Sequence, residues 1–367
     1  MKVMDYQWTK EPKGQFVDGH KHEDIVLYWQ TVFLPIMEGY EAVLWTYALD
    51  GLEVPHNGPC PELPQTVLWS FYANNCCKIC WVHKGKKAIP QAKEEGASFM
   101  VADFMSPDYG WMKSPDGKEA AQVTFKAGKA WDGYYYTSGD ILKQAEMAMD
   151  ILDKHFSSEC HVPIFDNGTM HTKWADDALS ACKMPKNTPK DEKNWGVETP
   201  LLDALGKQVF DPSGKAVKQK VMMANGCFKD GSIQEFYLCV FKGMATLLVE
   251  HEFLDAPKLL AQCKEFKCTK GPTGWTDCCC CHILYNQPDF THVDSLLESV
   301  CKAHGYSVVF LLKFHCELNF IKQCWGYTKQ IYHMCPVSSK EVDLEWNVLA
   351  SLDAVPLDSM HWLVPHL

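Results

Sequence analysis

The sequence predicts a protein of the α/β class, and the order of its apolar runs carries this prediction. Three strand-like runs precede an amphipathic helix, and a fourth short run ends at Asp166. A β-branched and aromatic run that starts at Ser307 is followed by a turn, Glu317 and a helix. Acids that follow buried strands of one sheet meet at a common edge, where α/β proteins can hold hard metal ions. The predicted elements are strands at 66–73, 79–83, 97–105 and 161–165, and helices at 23–34, 140–156, 241–252, 256–266 and 293–304.

Composition narrows the class of protein further. The chain has 367 residues, 47% of them hydrophobic and 22% charged, which is typical of a globular protein with one large core or one core and a module. A net charge of −11 disfavours an extensive basic groove for nucleic acid. No apolar run reaches membrane-spanning length and no signal-peptide core follows Met1, so we expect an intracellular protein, nuclear or cytoplasmic, without a membrane partner. The 18 cysteines should then be thiols or metal ligands.

Two motifs around the acids resemble the catalytic motifs of mariner-type DDE transposases. Asp166-Asn167, followed by His171, is similar to their second-acid motif, and the segment 317–321 (Glu-Leu-Asn-Phe-Ile) is similar to their third-acid motif. Longer strings at 101–104, 175–181, 286–290 and 313–321 resemble the DDE superfamily endonuclease proteins dispersed in basidiomycete fungal genomes.

This resemblance implies an RNase H-like fold, with a mixed five-stranded sheet flanked by helices and a large cysteine-rich insertion before the last strand. In such a fold the first acid lies on the central strand, the second ends the fourth strand, and the third opens the helix after the fifth. Three carboxylates can hold two Mg²⁺ or Mn²⁺ ions about 3.5–4 Å apart for DNA cleavage and strand transfer. The resemblance assigns Asp166 and Glu317 as catalytic Mg²⁺ ligands, with Asn167, His171 and Asn319 lining the site.

Two of these residues have plainer interpretations from the sequence alone. Asn167 is equally suited to cap a helix, and His171 could bond to backbone at a helix start.

The resemblance also divides the chain into four parts. We expect a helical N-terminal segment at 1–64, the first part of the RNase H-like domain at 65–183, an insertion at 184–288, and the last part of the domain with a shortened tail at 289–367.

The chain departs from the family at the first acid. The family strand carries His-Asp-Glu in its middle, and here both flanks are kept while Trp69 and Ser70 are adjacent. Lys322 stands where the family usually has glutamate. No helix-turn-helix pattern precedes Phe16, and the sequence ends where relatives continue with basic helices. We therefore expect impaired catalysis and weak binding of DNA, the ancestral substrate.

Asp103 is the nearest substitute for the missing acid. The sequence places it on the third strand, two strands from the first and therefore roughly 10 Å away, too far for a direct ligand. We expect it to cap a loop or an edge.

A cysteine-rich stretch in the insertion predicts a structural zinc site. Cys263 and Cys268 form one pair, and Cys278 and Cys281, the ends of a run of four cysteines followed by a histidine, form the second. Unliganded thiols are the alternative.

Three functions remain open from the sequence. The first is a transposase-derived domain with a damaged catalytic site. The second is an active or partly active DNA endonuclease in which Asp103 or a neighbouring residue is recruited. The third is a non-enzymatic module that binds nucleic acid or protein, and each is compatible with a homo-oligomer.

Overall fold

Two compact units make up the part of the chain that the structure describes. Described residues up to His171 and from Val300 onward form the first unit, and those within Thr172–Ser299 form the second. No helix among them is long and apolar enough to cross a membrane. The computed structural model describes residues 21–41, 61–62, 65–72, 98–126, 136–190, 195–203, 208–213, 215–238, 240–264, 278–315, 318–336 and 340–361.

The first unit opens with helices and continues with short and long strands around one long helix. Its elements up to Phe165 are α1 (Glu23–Tyr28), a π-helical turn (Trp29–Phe33), α2 (Leu34–Glu41), β1 (Pro61–Glu62), β2 (Gln65–Tyr72), β3 (Ser98–Ser106), β4 (Gly110–Trp111), β5 (Val123–Phe125), α3 (Ser138–His155), β6 (Cys160–His161) and β7 (Ile164–Phe165).

The second unit combines short antiparallel strands with short helices. Its elements are a 3₁₀ turn (Ala181–Lys183), β8 (Val197–Pro200), β9 (Lys218–Val221), β10 (Gly226–Cys227), β11 (Ile233–Gln234), β12 (Tyr237–Leu238), β13 (Val240–Phe241), α4 (Met244–Glu250), a second 3₁₀ turn (Ala256–Lys258), α5 (Cys280–Tyr285) and α6 (Pro288–Thr291).

The chain returns to the first unit within α7 (Leu296–Ala303). The remaining elements are β14 (Val309–Phe310), α8 (Ile321–Tyr332), α9 (Glu341–Asp353) and α10 (Leu357–His361).

A mixed sheet organises the first unit. Its strand order is β14-β7-β2-β3, and the free edge of β3 pairs with β4 at one end and β5 at the other. β2 runs antiparallel to β3 and parallel to β7, which is parallel to β14. The six strands therefore fill five positions, because β4 and β5 share one edge. The described residues thus form a mixed α/β architecture.

Two apolar clusters hold helices on this sheet. Phe99, Val101 and Met105 alternate on one face of β3 and pack with α8 and α9. The Trp111 indole donates to the Leu352 carbonyl oxygen at 2.9 Å, and its ring lies 5.1 Å from the Trp325 ring. A second cluster joins the helical N-terminal segment to β7, β14 and the residues that follow β14. These contacts fix the strand ends at which the acids were predicted.

Helix α3 begins at Ser138, two residues before the start that the sequence predicts. Thr137 is the N-cap, its side chain accepts from the Asp140 backbone N–H, and the Asp140 carboxylate accepts from the Thr137 backbone N–H at 2.8 Å. Ile141, Ala145 and Leu152 are buried on one face, as their helical spacing predicts.

Of two further predicted elements, one differs from the structure and the other is not tested by it. The helix predicted over 256–266 is only a 3₁₀ turn, since Pro257 occupies its first turn and Leu259 has an extended backbone. The strand predicted at 79–83 lies outside the described residues. The strand before it (β2) pairs directly with β3 along its whole length.

Candidate functional site

A pocket opens where β7 and β14 end. Asp166, Asn167 and Gly168 follow β7 on one side, and residues 311–315 follow β14 on the other. Asn319 and Lys322, before and inside the first turn of α8, complete the lining of a cavity of about 380 Å³. Because β7 and β14 are parallel neighbours, both strands deliver polar groups to the same edge of the sheet.

Asp166 is held by a tight loop that closes on His171. The His171 Nδ1 lies 2.7 Å from the Asp166 Oδ1 and 3.0 Å from the Asp166 carbonyl oxygen. Both partners are acceptors, so Nδ1 carries the hydrogen in this arrangement. The Gly168 N–H donates to the same Oδ1 at 3.2 Å, and a Cβ at Gly168 would meet that oxygen at 3.0 Å. Oδ1 accepts these bonds, so Oδ2 is the oxygen left for a ligand.

The charge state of Asp166 follows from these contacts. Burial acts to raise the pKa of Asp166, but the His171 hydrogen bond, the charges of His171 and Lys322, and the Gly168 N–H together lower it below its ordinary value. Asp166 is therefore an ionised carboxylate at neutral pH, beside a lysine that competes with a metal cation for it.

Asn319 is the second polar group that the pocket buries. Its side chain is 2% exposed, and within the described part of the chain neither its amide nitrogen nor its amide oxygen has a hydrogen-bond partner. A buried amide without partners costs free energy, on the order of 1–3 kcal/mol. The pocket thus contains a donor and an acceptor that a bound polar ligand or water would satisfy. Asn167 lines the same pocket and is half-buried.

Glu317 lies outside the described residues, so its role stays a prediction. The chain around it differs from the expected helix start, because α8 begins only at Ile321. Phe314 has a left-handed backbone (φ 67°), and the Leu318 N–H donates to the His315 carbonyl oxygen at 3.3 Å, so a tight turn precedes the helix.

The central strand offers no acid to this pocket. β2 has β3 and β7 on its two sides, and its residues 65–72 read Gln-Thr-Val-Leu-Trp-Ser-Phe-Tyr. Trp69 and Ser70, between which the family's first acid would fall, are both inside β2.

Asp103 was placed one strand too far from β2. It lies on the immediate neighbour of β2, opposite Val67, because β2 and β3 pair without an intervening strand. Its side chain is nevertheless buried and hydrogen-bonded within the protein. Oδ2 accepts a hydrogen bond from Gln122 Nε2 and Oδ1 accepts one from the Phe104 N–H, both at 2.8 Å. Burial raises the pKa of Asp103 to about 7, against the smaller lowering effects of Gln122 and Phe104. A buried acid that keeps its proton up to about neutral pH is a poor metal ligand.

The predicted zinc ligands are only partly together. The sulfur atoms of Cys263, Cys278 and Cys279 lie within 4.8 Å of one another. Cys281, the fourth predicted ligand, is not in this group, and its Sγ lies 3.8 Å from the Sγ of Cys182. Cys268 lies outside the described residues.

Cys279 and His282 were missed as members of this cluster. The His282 Nδ1 lies 3.1 Å from the Cys278 Sγ. Burial acts to raise the pKa of the Cys279 thiol, but the backbone N–H groups of His282 and Cys263 and the neighbouring thiols lower it. The spacing of Cys278 and His282, four residues apart, was the available signal.

Comparison with known proteins gives a partial structural similarity. No protein-family model matches the chain, and no curated protein matches it. Two solved structures that are similar in part are crystal structures of the mariner Mos1 paired-end complex, one with Mg and one with Mn. Sequence identity is 14% and 12%, and the TM-score is 0.29 in both cases. Each comparison covers 45% of this chain and 42% of the other, so this chain spans less than half the length of the structures it matches.

Proposed function

We propose that this protein is a transposase-derived, RNase H-like domain that has kept the scaffold of a DNA-processing site and lost its phosphoryl-transfer chemistry. The sheet order supports this proposal. A central strand antiparallel to one neighbour, and parallel to the two strands on its other side, agrees with the arrangement that the sequence resemblance implies. Asp166 follows the strand next to the central one, as expected for the second acid.

The absence of an acid from the central strand β2 is the observation that supports the proposed loss of catalysis. Two-metal phosphoryl transfer requires carboxylates that bridge or flank both ions. Asp166 supplies one, Glu317 is proposed as another, and β2 supplies none. Without a carboxylate on the central strand, two metal ions cannot be held in the geometry that activates the nucleophile and stabilises the leaving oxygen.

The remaining residues suit one weak cation site at most. Asp166 Oδ2 and the Asn319 amide oxygen are the kind of hard oxygen ligands that Mg²⁺ and Mn²⁺ take, and Glu317 would add a third. Lys322 carries a positive charge into the same pocket and opposes a second cation. When bound, a cation there would polarise a phosphate oxygen.

The same pocket can bind a phosphate without cutting it. Lys322 and the unpartnered amide of Asn319 provide a charge and a donor. Phe314, 51% exposed at the rim, offers an aromatic face on which a base can stack. These observations favour residual nucleic-acid binding as the second candidate function.

A nicking and strand-transfer assay with Mg²⁺ or Mn²⁺ tests the proposal. We expect no product above background from the wild-type protein, because the first metal ligand is missing. Product that disappears in Asp166→Ala but persists in Asp150→Ala, an exposed acid on α3, would overturn it.

Divalent-metal titration followed by thermal melting separates the candidates independently. One weak site or none fits the damaged site, whereas two strong sites would favour an active endonuclease. Retention of single-stranded DNA by wild type, with loss in Lys322→Ala, would support residual binding.

A further inference from the structure

The second unit brings together four soft-metal ligands from two chain segments. The cluster, here called the thiol cluster, consists of the Sγ atoms of Cys263, Cys278 and Cys279, which lie within 4.8 Å of one another, and the His282 Nδ1, which lies 3.1 Å from the Cys278 Sγ. It belongs to a different unit from the pocket at Asp166 and uses none of its residues.

The sulfur atoms of the thiol cluster are spaced like the ligands of a single bound metal ion. Zinc binds cysteine sulfur at about 2.3 Å, so two sulfurs of a tetrahedral site lie about 3.8 Å apart. The Cys278 Sγ lies 3.7 Å from that of Cys263 and 3.9 Å from that of Cys279. A disulfide would require about 2.05 Å, so these sulfurs converge without a bond between them.

The backbone holds the ligands in place before any ion binds. The N–H groups of Cys280 and Cys281 donate to the carbonyl oxygens of Leu260 and Ala261, each at 3.0 Å. These bonds fix the segment that ends at Cys263 against the start of α5. Such support from outside the ligand set is what orients the ligands of protein metal sites.

The surroundings suit a structural ion. Cys279 is 2% exposed and lies among the apolar residues of the second unit, while Cys263 and Cys278 are half-buried at its margin.

We propose that Cys263, Cys278, Cys279 and His282 bind one structural zinc ion that joins the segment before residue 264 to helix α5. Cysteine and histidine ligands in a closed, four-coordinate set are typical of structural zinc. The ion replaces thiol–thiol contacts with metal–sulfur bonds and closes the chain between Cys263 and Cys278. This site is independent of the proposed DNA-related function, so either can fail without the other.

Metal analysis of the full-length chain, purified without a histidine tag, tests the site directly. We expect about one equivalent of zinc per chain, and loss of most of it in Cys278→Ser. Cys281→Ser, which removes a neighbouring buried thiol outside the cluster, should retain the full equivalent. Wild-type protein with less than roughly 0.2 equivalent, both as purified and after refolding with zinc and a reductant, would overturn the proposal.

Cobalt substitution identifies the fourth ligand and does not depend on the stability of any one variant. Wild-type protein should show the charge-transfer and visible bands of tetrahedral Co²⁺ bound by three thiolates and one imidazole. His282→Ala should shift these bands, and Cys268→Ser should leave them unchanged. The reverse pattern would overturn the assignment of His282, and absence of tetrahedral bands in the wild type would overturn the site.

Discussion

The pocket at Asp166 and the thiol cluster are two candidate metal sites in one chain, and they are built differently. A complete set of acids at the pocket would have to come from β2, from the end of β7 and from the segment before α8, which are far apart in sequence, and β2 carries no acid. The thiol cluster draws its four ligands from two segments, one ending near Cys263 and one running from Cys278 to His282. A site assembled from three distant segments is disabled by a change in any one of them. A site built from two nearby segments depends on fewer parts of the chain.

The two sites differ in electrostatics as well. The Asp166 carboxylate is already satisfied on one side by His171 and faces Lys322, so the protein supplies its own positive charge. In the thiol cluster three sulfurs lie within 4.8 Å of one another and an imidazole contacts one of them, with no cationic side chain among these four groups. The proposed zinc site therefore faces less competition from the protein's own charges than a cation at Asp166 would.

Metal removal should produce the largest effect and should be confined to the second unit. Because a structural zinc contributes folding free energy directly, we expect a chelator to destabilise this unit by roughly 5 kcal/mol or more. Limited proteolysis followed by mass spectrometry should show new cleavage within 172–299. Equal loss of protection in the sheet of the first unit would break the distinction between the two regions.

Replacement of Asp103 by asparagine tests whether this acid is a buried neutral group or an ionised group available as a metal ligand. The pKa of Asp103 is raised to about 7 in the folded protein, above its ordinary value of 3.8. Between pH 3.8 and about pH 7, Asp103 is therefore protonated in the folded protein and ionised in the unfolded chain. The free energy of unfolding of the wild type falls as the pH rises through this range.

We expect Asp103→Asn to be more stable than wild type by on the order of 2–4 kcal/mol at pH 8, with the difference vanishing near pH 4. Denaturant melts at both pH values measure it, with the exposed Asp150→Asn as the control. Destabilisation at pH 8 would indicate that the Asp103 charge is used.

Loss of the His171 imidazole should weaken the loop that holds Asp166. His171→Ala removes a hydrogen bond to a charged carboxylate, worth about 2 kcal/mol in a partly buried setting. Since this bond helps to lower the pKa of Asp166, the stability it provides is present above the ordinary carboxyl value of 3.8 and is lost as the pH falls below it. Titration of the Asp166 carboxyl by NMR should show a higher pKa in the variant. An unchanged pKa would remove His171 from this role.

Reversal of charge at Lys322 should have the smallest effect on stability and the clearest effect on metal binding. Lys322→Glu places a carboxylate where a cation now lines the pocket. We expect tighter Mn²⁺ binding by roughly tenfold, about 1.4 kcal/mol. Lys329→Glu, two turns further along α8 and outside the pocket lining, is the matched control. Equal changes in both variants would show that net charge alone is responsible.

Much of the scaffold could be predicted because its signals are local. The apolar runs around β2, β3 and α3, and the position of Asp166 directly after β7, follow from side-chain periodicity and from where apolar runs stop. The site itself was less predictable. Placing Asp103 required knowing which strands pair, and the run 79–83 suggested an intervening strand that β2 and β3 leave no room for between them.

The choice among the cysteines shows the same limit at the scale of single residues. Adjacent residues point in different directions, so Cys279 joins the thiol cluster while Cys281, two positions on, contacts Cys182. The cysteine-rich stretch of the sequence predicts a metal site, but it does not indicate which of the cysteines are the ligands.

The sequence by itself determined the α/β class, the position of Asp166 at a strand end and the lack of an acid on β2, since each depends on the order of residues along one segment. Only the tertiary structure decided that His171 and Lys322 act on Asp166, that Asn319 is buried without a hydrogen-bond partner among the described residues, and that Cys279 and His282 lie against Cys278. These facts depend on which segments meet and which way each side chain turns, and both are set by packing between distant parts of the chain.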